Sequence, residues 1–394
     1  MKISTMRFID RFAGIPLCWI SGILRRFRHA RDLRPETVLA IKFFGLGSIL
    51  LTAPTLHLLK RKFPDVKIIY LSFSRNSEVI DQISFIDERW IINTDSALSF
   101  FTSFLTVVRR LMDRRIDVVL DFEFFSKFST FIGALARPEM QIGFSLPTRW
   151  RHWNLSHAVV LTNDCHVTRS FAAMLTPLGI HEEETPVPRL RPSSLKRNWR
   201  LPARVREWHS DIVCLNPNAG DTSLDRRWDA SRYAEALGVL LHEYPLGLFC
   251  LIGSSHEREY VQNILNRVPH AADRIVNLAG ETSLHDLIGL FSASRVLITN
   301  DSGPMHLAAA VGLPTVALFG PESPVFYGPL GNHAVNLYAH LPCSPCLSVY
   351  DAKVFRCPIN AQCMKDITVE SVVKATSELM QSTSQSKDAE NALR

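Results

Sequence analysis

From residue 38 to 144, and again from 212 to 319, short apolar runs alternate with stretches of helical spacing. The runs fall at 38–44, 66–73, 117–121 and 141–144, and then at 212–216, 247–252, 274–278, 296–299 and 315–319. Few of them alternate apolar with polar residues, so each reads as a strand buried on both faces, the pattern of a parallel sheet covered by helices on both sides. Helices are expected at 48–62, with Pro54 inside, at 129–136, 230–242, 257–268, 284–293 and 304–311. The fold class is therefore α/β, with two doubly wound, Rossmann-like domains. Between them, residues 181–202 hold three Glu, four Pro and five basic residues with little apolar periodicity, which reads as a linker. The expected division is a leader at 1–35, a first domain at 36–185, a linker at 186–205, a second domain at 206–382 and a disordered polar tail at 383–394. Ligands of such sheets sit at the carboxyl ends of the strands, so the loops there carry function.

Charge is distributed unevenly. The chain has 44 Lys and Arg against 38 Asp and Glu, a formal net charge of +6. Residues 1–35 contain eight bases and only the acids Asp10 and Asp32, so they account for all of it. A neutral main body excludes a nucleic-acid-binding groove, which needs excess positive charge on the folded surface. The uncharged run at 12–24 is too short to span a bilayer and contains Pro16. It is followed by Arg25 and Arg26 where a signal-peptide cleavage site would need small residues, so a cytoplasmic protein is expected. Phe8, Phe12, Ile15, Trp19, Ile23 and Phe27 have helical spacing among Arg residues. Two readings stand: a helix lying on the anionic inner face of the membrane, or one packed on the protein's own first domain.

The sharpest local pattern lies at 296–320, VLITNDSGPMHLAAAVGLPTVALFG. A strand gives way to Asn300, Asp301, Ser302 and Gly303, and then to a helix with Pro304 in its first turn, where the missing amide hydrogen costs nothing. The free amides and positive dipole end of that helix suit a pyrophosphate. Gly303 allows close approach, and His306 stands about one turn in. An ordinary capped helix, with Asp301 or Ser302 as the cap, fits the same letters.

That segment, with NPNAGDTSLDRRW from Asn216, LAGETSL from Leu278 and the opening VLAIKFFGLGSILLTAPTLHLLKRKFP, resembles the heptosyltransferases of glycosyltransferase family 9, which use ADP-heptose. The likeness extends over most of 36–370. It implies a GT-B architecture with an N-terminal acceptor domain and a C-terminal donor domain, inversion at the anomeric carbon, and no catalytic metal. Carried over by position, Arg226 takes the place of a Lys facing the donor phosphates, and Thr222 that of a hydroxyl on phosphate. Glu257 falls where an acid meets the ribose hydroxyls, and Thr282 lies in the LAGETSL motif of the donor side. Asp301, Ser302, Gly303 and His306 match the DSG-x-x-H loop.

The acceptor side departs from the family. Members commonly have Gly-Asp in the loop after the first strand, the Asp being the proposed base; here the loop is Gly45, Leu46, Gly47, Ser48. Ser48 cannot act as a base at neutral pH without an activating partner. Three outcomes stay open: an inactive protein, a base from elsewhere, or a reaction in which ADP departs first. The replacements are Asp121 and Glu123, at the end of an expected strand and two residues apart, which points both side chains the same way. Glu123 is the preferred base.

Cys343, Cys346, Cys357 and Cys363 form a C-x2-C-x10-C-x5-C cluster. Such spacing in a reducing compartment favours a tetrahedral metal over disulfides, and four thiolates leave no open position, so an iron or zinc ion here would be structural. Four buried reduced thiols are the alternative. The cluster resembles the iron-holding element of autotransporter heptosyltransferases.

The leading expectation is an inverting glycosyltransferase moving a heptose from an ADP-sugar to a cell-envelope glycan such as lipopolysaccharide core, peripheral on the cytoplasmic membrane. A protein acceptor and a degenerate nucleotide-binding relative are the alternatives. A dehydrogenase fits less well, because Gly45-Leu46-Gly47 lacks the third glycine of the dinucleotide fingerprint.

Overall fold

The computed structural model describes residues 10, 14–19, 21–22, 33–145, 151–181, 186–188, 190, 199–220, 223–268, 273–331, 333–347 and 357–392. The chain divides into two compact units, Met1–Arg191 and Pro192–Arg394. Each is built on a six-stranded sheet in which every pairing is parallel. This is the doubly wound pair expected from the alternating runs.

In unit 1 the strands are β1 (Thr37–Ile41), β2 (Lys67–Phe73), β3 (Glu88–Ile92), β4 (Val118–Asp121), β5 (Met140–Phe144) and β6 (His157–Val159), ordered β3-β2-β1-β4-β5-β6. The helices are α1 (Leu46–Leu50), α2 (Ala53–Lys62), α3 (Ser77–Asp81), α4 (Ala97–Asp113), α5 (Lys127–Leu135) and α6 (Val167–Ala173). The single helix expected at 48–62 is two. Pro54 cannot donate to a carbonyl one turn back, so α1 stops and Pro54 sits in the first turn of α2. β3, α4 and β6 were not expected. The outermost pairs alternate burial in β3 and leave β6 half-open, so neither reads as a buried run. α4 is strongly amphipathic, with Thr102, Thr106, Arg109, Arg110 and Asp113 opposite a broad apolar half.

The N-terminal segment packs on unit 1. The Asp10 carboxylate accepts hydrogen bonds from the amides of Lys127 (3.1 Å) and Phe128 (2.7 Å) and from the Ser126 hydroxyl (3.2 Å), capping α5. Residues 14–19 are helical, and the small residues Gly14, Cys18 and Ser21 face the fold. Asn154 donates to the Cys18 carbonyl at 2.8 Å. Ile15 and Trp19 therefore point outward. Phe8, Phe12, Ile23 and Phe27 lie outside the described residues.

Unit 2 repeats the plan with β7 (Ile212–Asn216), β8 (Leu248–Leu251), β9 (Ile275–Asn277), β10 (Val296–Asn300), β11 (Thr315–Phe319) and β12 (Ala334–Tyr338), ordered β12-β11-β10-β7-β8-β9. Its helices are α7 (Ala203–Arg206), α8 (Ala230–Glu243), α9 (Arg258–Leu265), α10 (Leu284–Ala293), α11 (Gly303–Val311), α12 (Pro324–Tyr327), α13 (Gln362–Lys365) and α14 (Val369–Ala392). α14 buries Val372, Val373 and Met380 in the same core as Leu237, Leu240, Ile298 and Leu318. Where disorder was expected after 383, the helix continues to Ala392. No helix of the described residues is long and apolar enough to cross a membrane.

In both sheets the strand order reverses between the first and fourth strands of the unit. β1 lies beside β4, with Ile41 opposite Asp121, and β7 lies beside β10, with Asn216 opposite Thr299. The loops leaving these pairs open the crevice in which such sheets bind ligands.

Candidate functional site

At the unit 2 crevice the loops after β7 and β10 are tied together by buried amides. Asn216 donates to the hydroxyls of Thr299 (2.9 Å) and Ser302 (2.7 Å). Asn300 accepts from the Trp228 amide (3.1 Å) and the Tyr233 hydroxyl (3.2 Å), and donates to the Asn218 carbonyl (3.3 Å). Asn218 donates to the Ile252 carbonyl at 2.9 Å, which brings in the loop after β8. Gly253 is required there, since a Cβ would sit 2.6 Å from the Asn218 amide nitrogen.

This frame leaves the start of α11 available. Ser302 is its N-cap in extended backbone, yet no side chain caps the helix, because the Ser302 hydroxyl is bonded to Asn216 and to the Asn300 carbonyl. In the first turn Pro304 has no amide hydrogen and the Met305 amide donates to the Ser302 carbonyl (3.2 Å), which leaves the Gly303 amide and the positive helix end for an anion. The expectation that Asp301 or Ser302 merely caps the helix does not hold. At the other end Gly312 closes α11 at φ 83°, a left-handed position that other residues adopt at a cost.

Arg226 stands beside this helix start. It donates through Nη1 to the Asp301 carbonyl (3.0 Å) and carboxylate (3.1 Å), and through Nη2 to the Ala219 carbonyl. Its Nε is buried with no hydrogen-bond partner among the described residues. The guanidinium is therefore held in place with donor capacity left over. Arg227, next along, pairs with Glu257 at 3.3 Å and lies over the Tyr260 ring at 4.4 Å. Glu257 also accepts from the amide and hydroxyl of Ser254, both at 2.8 Å, so one carboxylate oxygen is committed to a capping box. His306 is buried on α11 with its ring 6.5 Å from that of Tyr327. Thr282 is half-buried immediately ahead of Ser283, the N-cap of α10. Thr222 lies outside the described residues.

The unit 1 crevice is held by carboxylates. Glu123 is fully buried: its Oε1 accepts from the amides of Phe43 (2.7 Å) and Phe44 (3.0 Å) and pairs with the Lys42 ammonium at 3.3 Å. Its Oε2 has no hydrogen-bond partner among the described residues. Asp121 is equally buried and spends both oxygens on the protein. Oδ1 accepts from the Glu123 amide (3.1 Å), and Oδ2 from Thr130 (2.8 Å), Ser129 (3.0 Å) and the Arg151 guanidinium. Burial pushes the Asp121 carboxyl above its usual range, against the pull of Arg151, Thr130 and Ser129. The expected pair of carboxylates facing the crevice together is thus a buried network, because basic partners 30 and 81 residues away in sequence draw the two groups inward. Ser48 is half-buried on α1, behind Gly45 at φ 86° and Gly47.

Lys42, Arg151, Asn216, Asn218 and Asn300 were not singled out in advance. The asparagines at strand ends were the available signal: an amide closing a buried apolar run has to find partners in neighbouring loops.

The four clustered cysteines share one neighbourhood. Burial pushes the Cys363 thiol up to about 11, with Cys346, Cys357 and Cys343 adding to it, and Cys346 is raised by burial and by Cys357 and Cys343. Among the described residues no group of three or more His, Cys, Asp or Glu is arranged to hold a metal ion. The donor types suit a soft metal and the spacing does not yet close on one.

Comparison with known proteins gives one consistent result. The profile of glycosyltransferase family 9 (heptosyltransferase) matches residues 104–353. The chain is 26% identical over 340 residues to lipooligosaccharide heptosyltransferase 2 of Campylobacter jejuni, covering 85% of this chain and 95% of that protein. Its fold matches the structure of Escherichia coli ADP-heptose lipopolysaccharide heptosyltransferase II with a TM-score of 0.70 at 20% identity, over 88% of this chain and 99% of the other. It also matches the iron-containing dodecameric glycosyltransferase TibC of enterotoxigenic E. coli, with a TM-score of 0.57 at 15% identity, over 90% and 78% of the two chains.

Proposed function

The chain belongs to glycosyltransferase family 9, the heptosyltransferases, and we propose that it moves a heptose from ADP-heptose to a hydroxyl of a lipopolysaccharide-type cell-envelope glycan, with inversion at the anomeric carbon. The observation that carries this reading is the uncapped start of α11 with Arg226 fixed beside it. A nucleoside diphosphate departing from the sugar concentrates charge on its outer phosphate, and preorganised amides and a guanidinium stabilise that charge as it forms.

In the proposed reaction the acceptor oxygen bonds to the anomeric carbon as the bond from that carbon to the diphosphate breaks. The electron pair leaves with ADP, and the acceptor proton is released. Arg226, Ser302 and Gly303 bind the diphosphate, with Thr222, Asp301 and His306 completing the loop. Glu257 takes the ribose hydroxyls through Oε1, which also accepts from Arg227 at 3.3 Å, and Thr282 lies on the donor side. With the neutral Ser48 at the family's base position, phosphate departure leads and the proton moves late. Glu123 takes it through Oε2; since the side chain is fully buried, the Phe43–Phe44 loop that its other oxygen holds has to shift first. Asp121 acts as scaffold.

The acceptor is lipid-linked and met at the inner face of the inner membrane, where the basic segment 1–35 holds the enzyme peripherally. No catalytic metal takes part. A structural iron or zinc ion at the cysteine cluster is supported by the thiol donor set and by the fold shared with an iron-containing glycosyltransferase, and it requires the four thiols to draw closer than they stand.

The test is donor hydrolysis. Incubation with ADP-heptose and mass spectrometry should detect slow release of heptose and ADP without any acceptor. Calorimetric ADP binding with no sugar release over days would instead support a degenerate nucleotide-binding relative.

A further inference from the structure

Unit 1 leaves an apolar stripe uncovered. The apolar half of α4 is wider than the strip that enters the core. Val107 and Leu111 enter the unit's core, with Phe100 and Phe104 packed against it. A second line, Leu98, Phe101, Leu105 and Met112, follows the same helical spacing and is 74%, 57%, 48% and 71% exposed. An apolar half that extends past the core contact leaves an exposed strip of the kind that marks an interaction surface.

Two observations identify the cover. The first is position. Phe128, in the first turn of α5, lies against Phe100 and Phe104 at 6.0 and 5.8 Å between ring centroids. Its neighbour Lys127 accepts from the Cys18 thiol through its carbonyl (3.5 Å) and meets Gly14. α4, α5 and the N-terminal helical segment therefore form one layer on one side of the sheet. Every exposed Phe or Trp among the described residues belongs to unit 1: Phe101, Trp19 and Trp153. Trp19 and Trp153 stack on each other at 5.5 Å while remaining about half exposed.

The second is charge. The segment carrying Trp19 has eight bases and two acids. One of those acids, Asp10, is consumed in capping α5, which leaves Asp32 alone against the eight bases. Exposed indoles and an apolar stripe on unit 1, with a segment of the same unit rich in Lys and Arg by sequence, match the interface of an anionic bilayer, where rings sit at headgroup depth. A protein partner would find no comparable reason for the net charge.

We propose that Leu98, Phe101, Leu105 and Met112 of α4, with Trp19 and Trp153, form the face on which this protein lies on an anionic lipid surface. The inference rests on the reading of a lipid-linked acceptor for its purpose, and adds α4 as a contact that the basic segment alone does not supply. Insertion of the stripe sets unit 1 at a fixed orientation to the membrane.

The experiment is flotation of the full chain with vesicles of phosphatidylethanolamine and phosphatidylglycerol, free of any glycolipid. The native chain should float with these vesicles and not with purely zwitterionic ones. Leu98→Ser/Phe101→Ser/Leu105→Ser should lower partitioning about tenfold or more, with unchanged thermal midpoint and unchanged donor hydrolysis. Native-like flotation of the triple variant would overturn the proposal. So would a native chain that is dimeric in light scattering and a triple variant that is monomeric with flotation intact, which would make the stripe a contact between copies. Absence of donor hydrolysis alongside normal flotation would remove the enzymatic reading and leave this one standing.

Discussion

Lys42 and Glu123 form an ion pair at 3.3 Å with their side chains only 3% and 1% exposed. Removing one partner strands the other charge in the interior, so Glu123→Gln should lower unfolding free energy by about 3–5 kcal/mol and abolish turnover. Lys42→Met/Glu123→Gln removes both charges and should recover much of the stability in urea titration. If Glu123 takes the proton, the double variant stays inactive; restored turnover would return the role to another group.

Arg226 is held by Asp301 and Ala219 beside the start of α11. Arg226→Ala should cut donor turnover by about 10²–10³-fold, the size seen when one donor to developing charge is lost, and weaken ADP binding in calorimetry. Arg226→Lys keeps the charge but not the fork and should fall between. Native turnover in the alanine variant would sink the donor-site assignment.

Arg151 and Asp121 are both fully buried. Burial holds the Asp121 carboxyl above its usual range, so the folded protein keeps that proton to higher pH than the unfolded chain, and this group's contribution declines as pH rises between the two values. Without Arg151 the gap widens. Arg151→Met should therefore cost about 3–5 kcal/mol, and more at pH 8 than at pH 5. An equal loss at both, measured by chemical denaturation, would mean the cost is packing alone.

Asp286 completes a capping box at α10. Burial opposes its ionisation, but bonds from Ser283 and the Arg200 amide hold its carboxyl below the usual range. Here the sign is opposite: the contribution is present above the unfolded value and lost as pH falls through the folded one. Asp286→Asn should cost about 1 kcal/mol at pH 7 and close to nothing near the acid limit of folding.

Plasma emission spectrometry of protein purified without chelator should find about one iron or zinc ion per chain if the cysteine cluster is filled. Cys343→Ser/Cys346→Ser should lose the metal. Metal-free protein of native stability would leave four reduced thiols as the account.

Much of the donor site was legible beforehand because its information is local. A strand followed by Asp301, Ser302, Gly303 and Pro304 describes one continuous turn, and its letters are enough to place an open helix start. The acceptor side was not legible in the same way. Asp121 and Glu123 read as crevice carboxylates until Arg151 and Lys42, distant in sequence, are seen to bury them. α4 was not among the expected helices although its helical period is clear; what only the fold decided is which part of its apolar half enters the core.

By itself the sequence determined the two parallel sheets and the turn from Asp301 to Pro304, which follow from apolar runs and turn chemistry that act over a few residues, and it carried the family in its motifs. The tertiary structure decided which charges are buried, which amides are free and which apolar stripe is left outside. Those depend on what the rest of the chain packs against each group, and desolvation, unlike local propensity, is set by neighbours that no short stretch of sequence names.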